Sequence, residues 1–125
     1  MEIADKCKQF KFIKMEKINI LWTTTNRDTI TNMILMYSTS TRQHGLWDEV
    51  NVIIWGGSAK LIGENVDVQA EVSEMIEKGV HVEACQACAE KYGAVETLRN
   101  LGVDVKFMGK PLTDYIKNGE KILTL

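Results

Sequence analysis

Gly79-Val80-His81-Val82-Glu83-Ala84-Cys85-Gln86-Ala87-Cys88 decides the fold, because a helix stop, a strand and the opening of another helix follow one another in it without a break. Gly79 closes a segment in which Val68, Val72, Met75 and Ile76 recur at helical spacing, the pattern of an amphipathic helix over Val68 to Lys78. Val80 to Ala84 reads as a short strand and leads straight into Cys85-Gln86-Ala87-Cys88, with helical segments continuing to Leu101. A helix, a strand and a helix joined by short connections form the repeating unit of a parallel sheet.

The same unit recurs on both sides of this stretch. Upstream, Ile18 to Trp22 is an apolar run ended by Thr23-Thr24-Thr25-Asn26, a buried strand followed by a helix cap. Ile30, Met33, Ile34 and Tyr37 then recur at helical spacing, and Gly45 follows Arg42-Gln43-His44 as a stop. Val50 to Trp55 is a second strand, stopped by Gly56-Gly57 and followed by a weaker helical stretch around Lys60 to Glu64. Downstream, Val103 to Met108 reads as a fourth strand, Pro111 as the first position of a helix through Ile116, and Lys121 to Leu125 as a last strand. The expected fold is a three-layer α/β domain with a mainly parallel central sheet, right-handed crossovers and helices covering both faces.

A length of 125 residues suits one domain with one core, and 45% apolar with 26% charged residues fits a folded chain. A net charge of -2 gives no broad basic field for a phosphate backbone, so nucleic acid is not the expected partner. No apolar run approaches the roughly 20 residues needed to span a bilayer, and no secretory signal follows Lys6, Lys8, Lys11, Lys14 and Lys17. A cytoplasmic location is therefore expected, with its 3 cysteines as thiols. Residues 1–14 lack a clear period and precede Met15. They read as an extension, an appended helix or the product of a start placed too early, and the domain itself is expected over 17–125 with 1–16 as the extension.

Ligands of open parallel sheets bind outside the carboxyl ends of the strands. Three loops gather there: Thr23 to Asp28, Gly56-Gly57-Ser58, and Cys85 to Cys88. Cys85 stands at a strand end beside a helix N-terminus, where partial positive charge and free N–H groups favour a thiolate. A small buried cysteine that merely ends a strand fits the position equally well. Cys88, three residues on, shares its helical face and can resolve a disulfide or accept sulfur, although plain packing explains it as readily.

Two cysteines with no second pair and no closely spaced histidine make a poor zinc site, so no metal is expected. Gly56-Gly57-Ser58 matches neither dinucleotide nor P-loop patterns; it reads as a tight turn, and no cofactor is expected. His81, Glu83 and Cys85 share a strand face, yet His81 would lie about 13 Å from Cys85 and is not its base. For His81 and Glu83 the reading is a solvated strand face or a subunit contact. His44 reads as a helix C-terminal cap, and Trp22, Trp47 and Trp55 as core or interface residues.

From Lys17 to Leu125 the chain resembles the DsrE/DsrF-like family of sulfur-relay proteins, in its branch of small stand-alone members. The resemblance lies in the opening strand with its Thr-rich turn, in Val52 to Ser58, in Gly79 to Ala89, in Leu101-Gly102-Val103, and in Met108 to Ile116. It implies a Rossmann-like sandwich assembled as a homotrimer or homohexamer. It also implies a sulfurtransferase-type carrier that holds sulfane sulfur as a persulfide on a cysteine after the third strand, between donor and acceptor proteins. Cys85, with Gly93 downstream, stands at that position; a cysteine at the place of Cys88 is less general. Two alternatives remain: a non-catalytic oligomeric module binding a small ligand or protein, and a Cys-x-x-Cys redox switch.

Overall fold

A computed structural model describes residues 15–125 of the chain. The three readings of residues 1–14 lie outside the described residues. The strands are β1 (Lys17–Trp22), β2 (Glu49–Ile54), β3 (His81–Cys85), β4 (Asp104–Lys106) and β5 (Lys121–Thr124). Between β1 and β2 runs a continuous helix α1 over residues 27–43, made of Arg27–Thr29, a π-helical stretch Ile30–Leu35, and Met36–Gln43. The remaining helices are α2 (Gly57–Glu64), α3 (Val66–Glu77), α4 (Gln86–Lys91), α5 (Val95–Asn100) and α6 (Gly109–Lys117).

The strands form one five-stranded sheet in the order β4-β3-β2-β1-β5, and every pairing is parallel. From β1 to β4 the chain steps in one direction across the sheet, so right-handed crossovers put all the connecting helices on one face. The chain then returns from the β4 edge to the β5 edge, and α6 crosses the opposite face. The core follows this division. Ile20 and Trp22 of β1, Val52 and Ile54 of β2, and Val82 and Ala84 of β3 pack in one cluster with residues of α1 to α5, including Ile34, Ile62, Met75 and Leu98. Burying each large side chain of this kind stabilises the fold by roughly 1.5–3 kcal/mol. On the other face a small cluster of Ile53, Cys85 and Met108 meets Leu112 and Tyr115 of α6.

The three layers are therefore real but unequal, with five helices over one face and α6 alone, among the described residues, over the other. Asn26 caps α1 by accepting the N–H of Thr29 at 2.9 Å, and His44 stands at its C-terminal cap. Trp22 is core, while Trp47 and Trp55 are half-buried against the two clusters.

Two local expectations are corrected. Gly57 and Ser58 are the first residues of α2 and not part of a tight turn; only Gly56 turns, at φ 69°. Ser58 explains the helical start, because its buried hydroxyl donates to the carbonyl of Trp22 at 2.7 Å and accepts the N–H of Trp55 at 3.1 Å, tying two strand ends to the helix. Pro111 is the third residue of α6, which begins at Gly109. Its missing N–H costs nothing there, since the first four N–H groups of a helix have no intrahelical partner.

Candidate functional site

Parallel register fixes what Cys85 can meet. β3 pairs with β4 so that Glu83 lies beside Asp104, and Cys85 beside Lys106. β2 pairs with β3 so that Asn51 lies beside His81, and Ile53 beside Glu83. Asn19 of β1 lies beside Asn51. Alternation therefore places Asn19, Asn51, His81, Glu83, Cys85, Asp104 and Lys106 on the face that α6 crosses.

All of these except Cys85 form one chain of hydrogen bonds and ion pairs across the sheet. Asn51 Nδ2 donates to Glu83 Oε1 at 2.6 Å and to Asn19 Oδ1 at 3.0 Å. His81 Nδ1 meets Asn51 Oδ1 at 2.8 Å, and Asn19 Nδ2 donates to Glu120 Oε1 at 3.2 Å. From α6, the Tyr115 hydroxyl donates to Glu83 Oε1 at 2.7 Å. Lys106 Nζ sits 2.5 Å from Glu83 Oε2 and 2.8 Å from Asp104 Oδ2.

The reading of Glu83 as part of a solvated face is thus wrong: it is 1% exposed, and its burial is made affordable by these partners. Burial by itself would raise its pKa, but bonds from Lys106, Asn51 and Tyr115 outweigh it and hold the carboxyl below the usual glutamate range. Burial, then the bond to Glu83, pushes the Tyr115 hydroxyl up to about 12, which keeps it a donor. His81, in contrast, is exposed at the strand's first residue. Single-atom positions of His81, Glu83 and Asp104 fall within 4.8 Å of one another, but the Lys106 ammonium already bridges the two carboxylates as their counter-ion.

Cys85 is the last residue of β3 and the N-cap of α4, and it is 5% exposed. Its surroundings are Ile53, Met108, Leu112 and Tyr115. The expectation of a favoured thiolate is corrected here. Burial is the largest influence and raises its pKa; the backbone N–H groups of Cys88 and Ala87 act the other way and are outweighed, and the neighbouring Cys88 thiol adds to the rise. The helix offers no capping bond at hydrogen-bond distance to the Cys85 sulfur.

Cys88 is half-buried and lies between the two clusters, packed against both. The Gly56 N–H donates to its Sγ at 3.2 Å. Two of the three strand-end loops thus converge on one sulfur, and Cys88 packs against the cluster that contains Cys85.

The buried Asn19–Asn51–Glu83 chain and its link to half-buried Tyr115 were missed by sequence reasoning. A signal existed, since Ile18-Asn19-Ile20 and Val50-Asn51-Val52 each place one amide inside an apolar strand.

The model of the DsrE/DsrF-like family matches residues 17–125. No curated protein matches the chain. A solved structure of a conserved protein of unknown function from Bacteroides thetaiotaomicron is 47% identical, with a TM-score of 0.86 over 88% of this chain and 95% of its own. The ychN protein from E. coli superposes with a TM-score of 0.67 over 89% of this chain and 100% of its own; at 17% identity that likeness speaks for the fold alone. No helix among the described residues is long and apolar enough to cross a membrane.

Proposed function

The chain belongs to the DsrE/DsrF-like family, matched over residues 17–125, and from that premise we propose that it carries sulfane sulfur as a persulfide on Cys85. Membership supports a sulfur-relay type of function in general. The observation that carries the finer reading is the place of Cys85: it closes β3 at the carboxyl edge of an all-parallel sheet, in a cluster against which a second cysteine, Cys88, packs. A thiolate there takes the outer sulfur of a persulfide presented to it. The donor S–S bond breaks, the donor leaves as a thiolate, and a new S–S bond joins the outer sulfur to Cys85. An acceptor thiolate removes that sulfur by the same exchange, and no oxidant is consumed.

Donor and acceptor proteins, and assembly as a homotrimer or homohexamer, belong to the same proposal. Intact mass spectrometry after incubation with a persulfide donor tests it on wild type, Cys85→Ser and Cys88→Ser. A gain of one sulfur by the wild type, found on Cys85 after digestion, supports the carrier. A well-folded protein that gains none leaves a binding module in its place.

One observation favours a second reading: Cys88 packs against the cluster that holds Cys85. Were Cys88 to attack the inner sulfur of a Cys85 persulfide, sulfide would leave and a disulfide would close, making the pair a redox switch. Loss of two hydrogens that requires both cysteines identifies that outcome.

A further inference from the structure

Cys85 is 5% exposed, walled by Ile53, Met108 and Leu112, and its thiol is pulled towards the neutral form. A sulfur held on a donor protein cannot reach such an atom directly, because thiol exchange needs attack along the S–S axis and therefore access. Cys88 has what Cys85 lacks. It is half-buried instead of buried, and its Sγ accepts the Gly56 N–H at 3.2 Å. That donor is aimed at an atom that carries negative charge twice in a relay, once as the attacking thiolate and once as the leaving thiolate. Gly56 reaches the sulfur from the end of β2, in a turn at φ 69° that leaves its N–H directed at α4.

Resting on the carrier reading above, we propose that Cys88 is the receiving thiol and Cys85 the storage thiol, so that sulfur moves inward in two exchanges. In the first, the Cys88 thiolate attacks the outer sulfur of the donor persulfide, forming a Cys88 persulfide and releasing the donor thiolate. In the second, the Cys85 thiolate attacks that same outer sulfur. The S–S bond to Cys88 breaks, Cys88 leaves as a thiolate beside the Gly56 N–H, and the persulfide now sits on Cys85. Each step breaks one S–S bond and makes one, so neither needs an oxidant or reductant. The spacing permits it, since residues three apart at a helix start are neighbours. Delivery to an acceptor runs the exchanges in reverse, through Cys88.

The test is a time course in the full-length wild type, mixed with a low-molecular-weight persulfide, blocked by alkylation at intervals and digested with trypsin. One peptide, Gly79 to Lys91, contains both cysteines and excludes Cys7. The expected result is sulfur on Cys88 first, decaying as sulfur on Cys85 rises. Loading of Cys85 in Cys88→Ser is expected to slow about tenfold or more, as access governs exchange rates, while Cys85→Ser accumulates sulfur on Cys88. Cys85 loading without a Cys88-linked precursor in wild type, or at an undiminished rate in Cys88→Ser, overturns the order of transfer and leaves the carrier standing. Sulfur on neither cysteine overturns the carrier itself. A disulfide with released sulfide overturns inward transfer in favour of the switch. The wild-type time course decides the order even if a variant fails to fold.

Discussion

Glu83 is a single buried carboxylate whose state is legible in its bonds. Its pKa is lowered in the folded chain, so the stability it contributes is present above the usual glutamate value of 4.5 and is lost as pH falls through the lowered value. Glu83→Gln should cost about 1–3 kcal/mol at neutral pH, because the amide keeps the shape but loses the charged acceptor. Urea denaturation at neutral and acid pH checks this, with the gap between the two proteins closing in acid. An unchanged midpoint at neutral pH would show that the network contributes nothing net. Tyr115 supplies a separate reading: of 3 tyrosines, this one should ionise near 12, visible as a late step in an ultraviolet alkaline titration that Tyr115→Phe removes. Its raised pKa means that its contribution is complete below about 10 and disappears as pH rises through about 12.

At the scale of elements, α6 and the Gly56 turn govern the site. None of the residues of α6 is fully buried, and its hold on the sheet passes through half-buried Leu112 and Tyr115 over Cys85. Leu112→Ala should therefore speed alkylation of Cys85 by iodoacetamide several-fold in a Cys88→Ser background, without a matching loss of secondary structure. Equal rates would show that α6 is not its cover. Gly56→Ala meets open space but forces a side chain into φ 69°, ψ -132°, a cost of about 1–3 kcal/mol in thermal or urea unfolding. The elements themselves were legible, because apolar runs ended by Gly, Thr and Asn mark strand and helix boundaries through backbone chemistry that is local. The start of α2 was not, since Ser58 is helical by virtue of hydroxyl bonds to Trp22 and Trp55, and the Trp22 carbonyl lies far away in the chain. The π-helical stretch of α1 was likewise invisible in a simple period.

Across the whole molecule, the parallel topology followed from the alternation of elements, whereas the polar face under α6 did not. Asn19, Asn51, Glu83 and Tyr115 meet only once register sets three strands side by side and the last crossover lays α6 over them. Cys85 was singled out by its strand-end position and Cys88 by its spacing, but the division of labour proposed for them rests on the burial of one and the Gly56 contact of the other, neither of which is local. The single-helix side of the sheet also gives the proposed homo-oligomer a simple check: light scattering in the micromolar range should return a trimer or hexamer, and a monomer throughout would count against it. The central claim is relay, and transfer tests it most directly. Protein loaded with sulfane sulfur, freed of donor and mixed with an acceptor thiol should lose its sulfur from the peptide Gly79 to Lys91 as an equal amount of acceptor persulfide appears, with both cysteines returned to thiols. Sulfide release with closure of a Cys85–Cys88 disulfide, or a folded protein that never takes up sulfur, would contradict it.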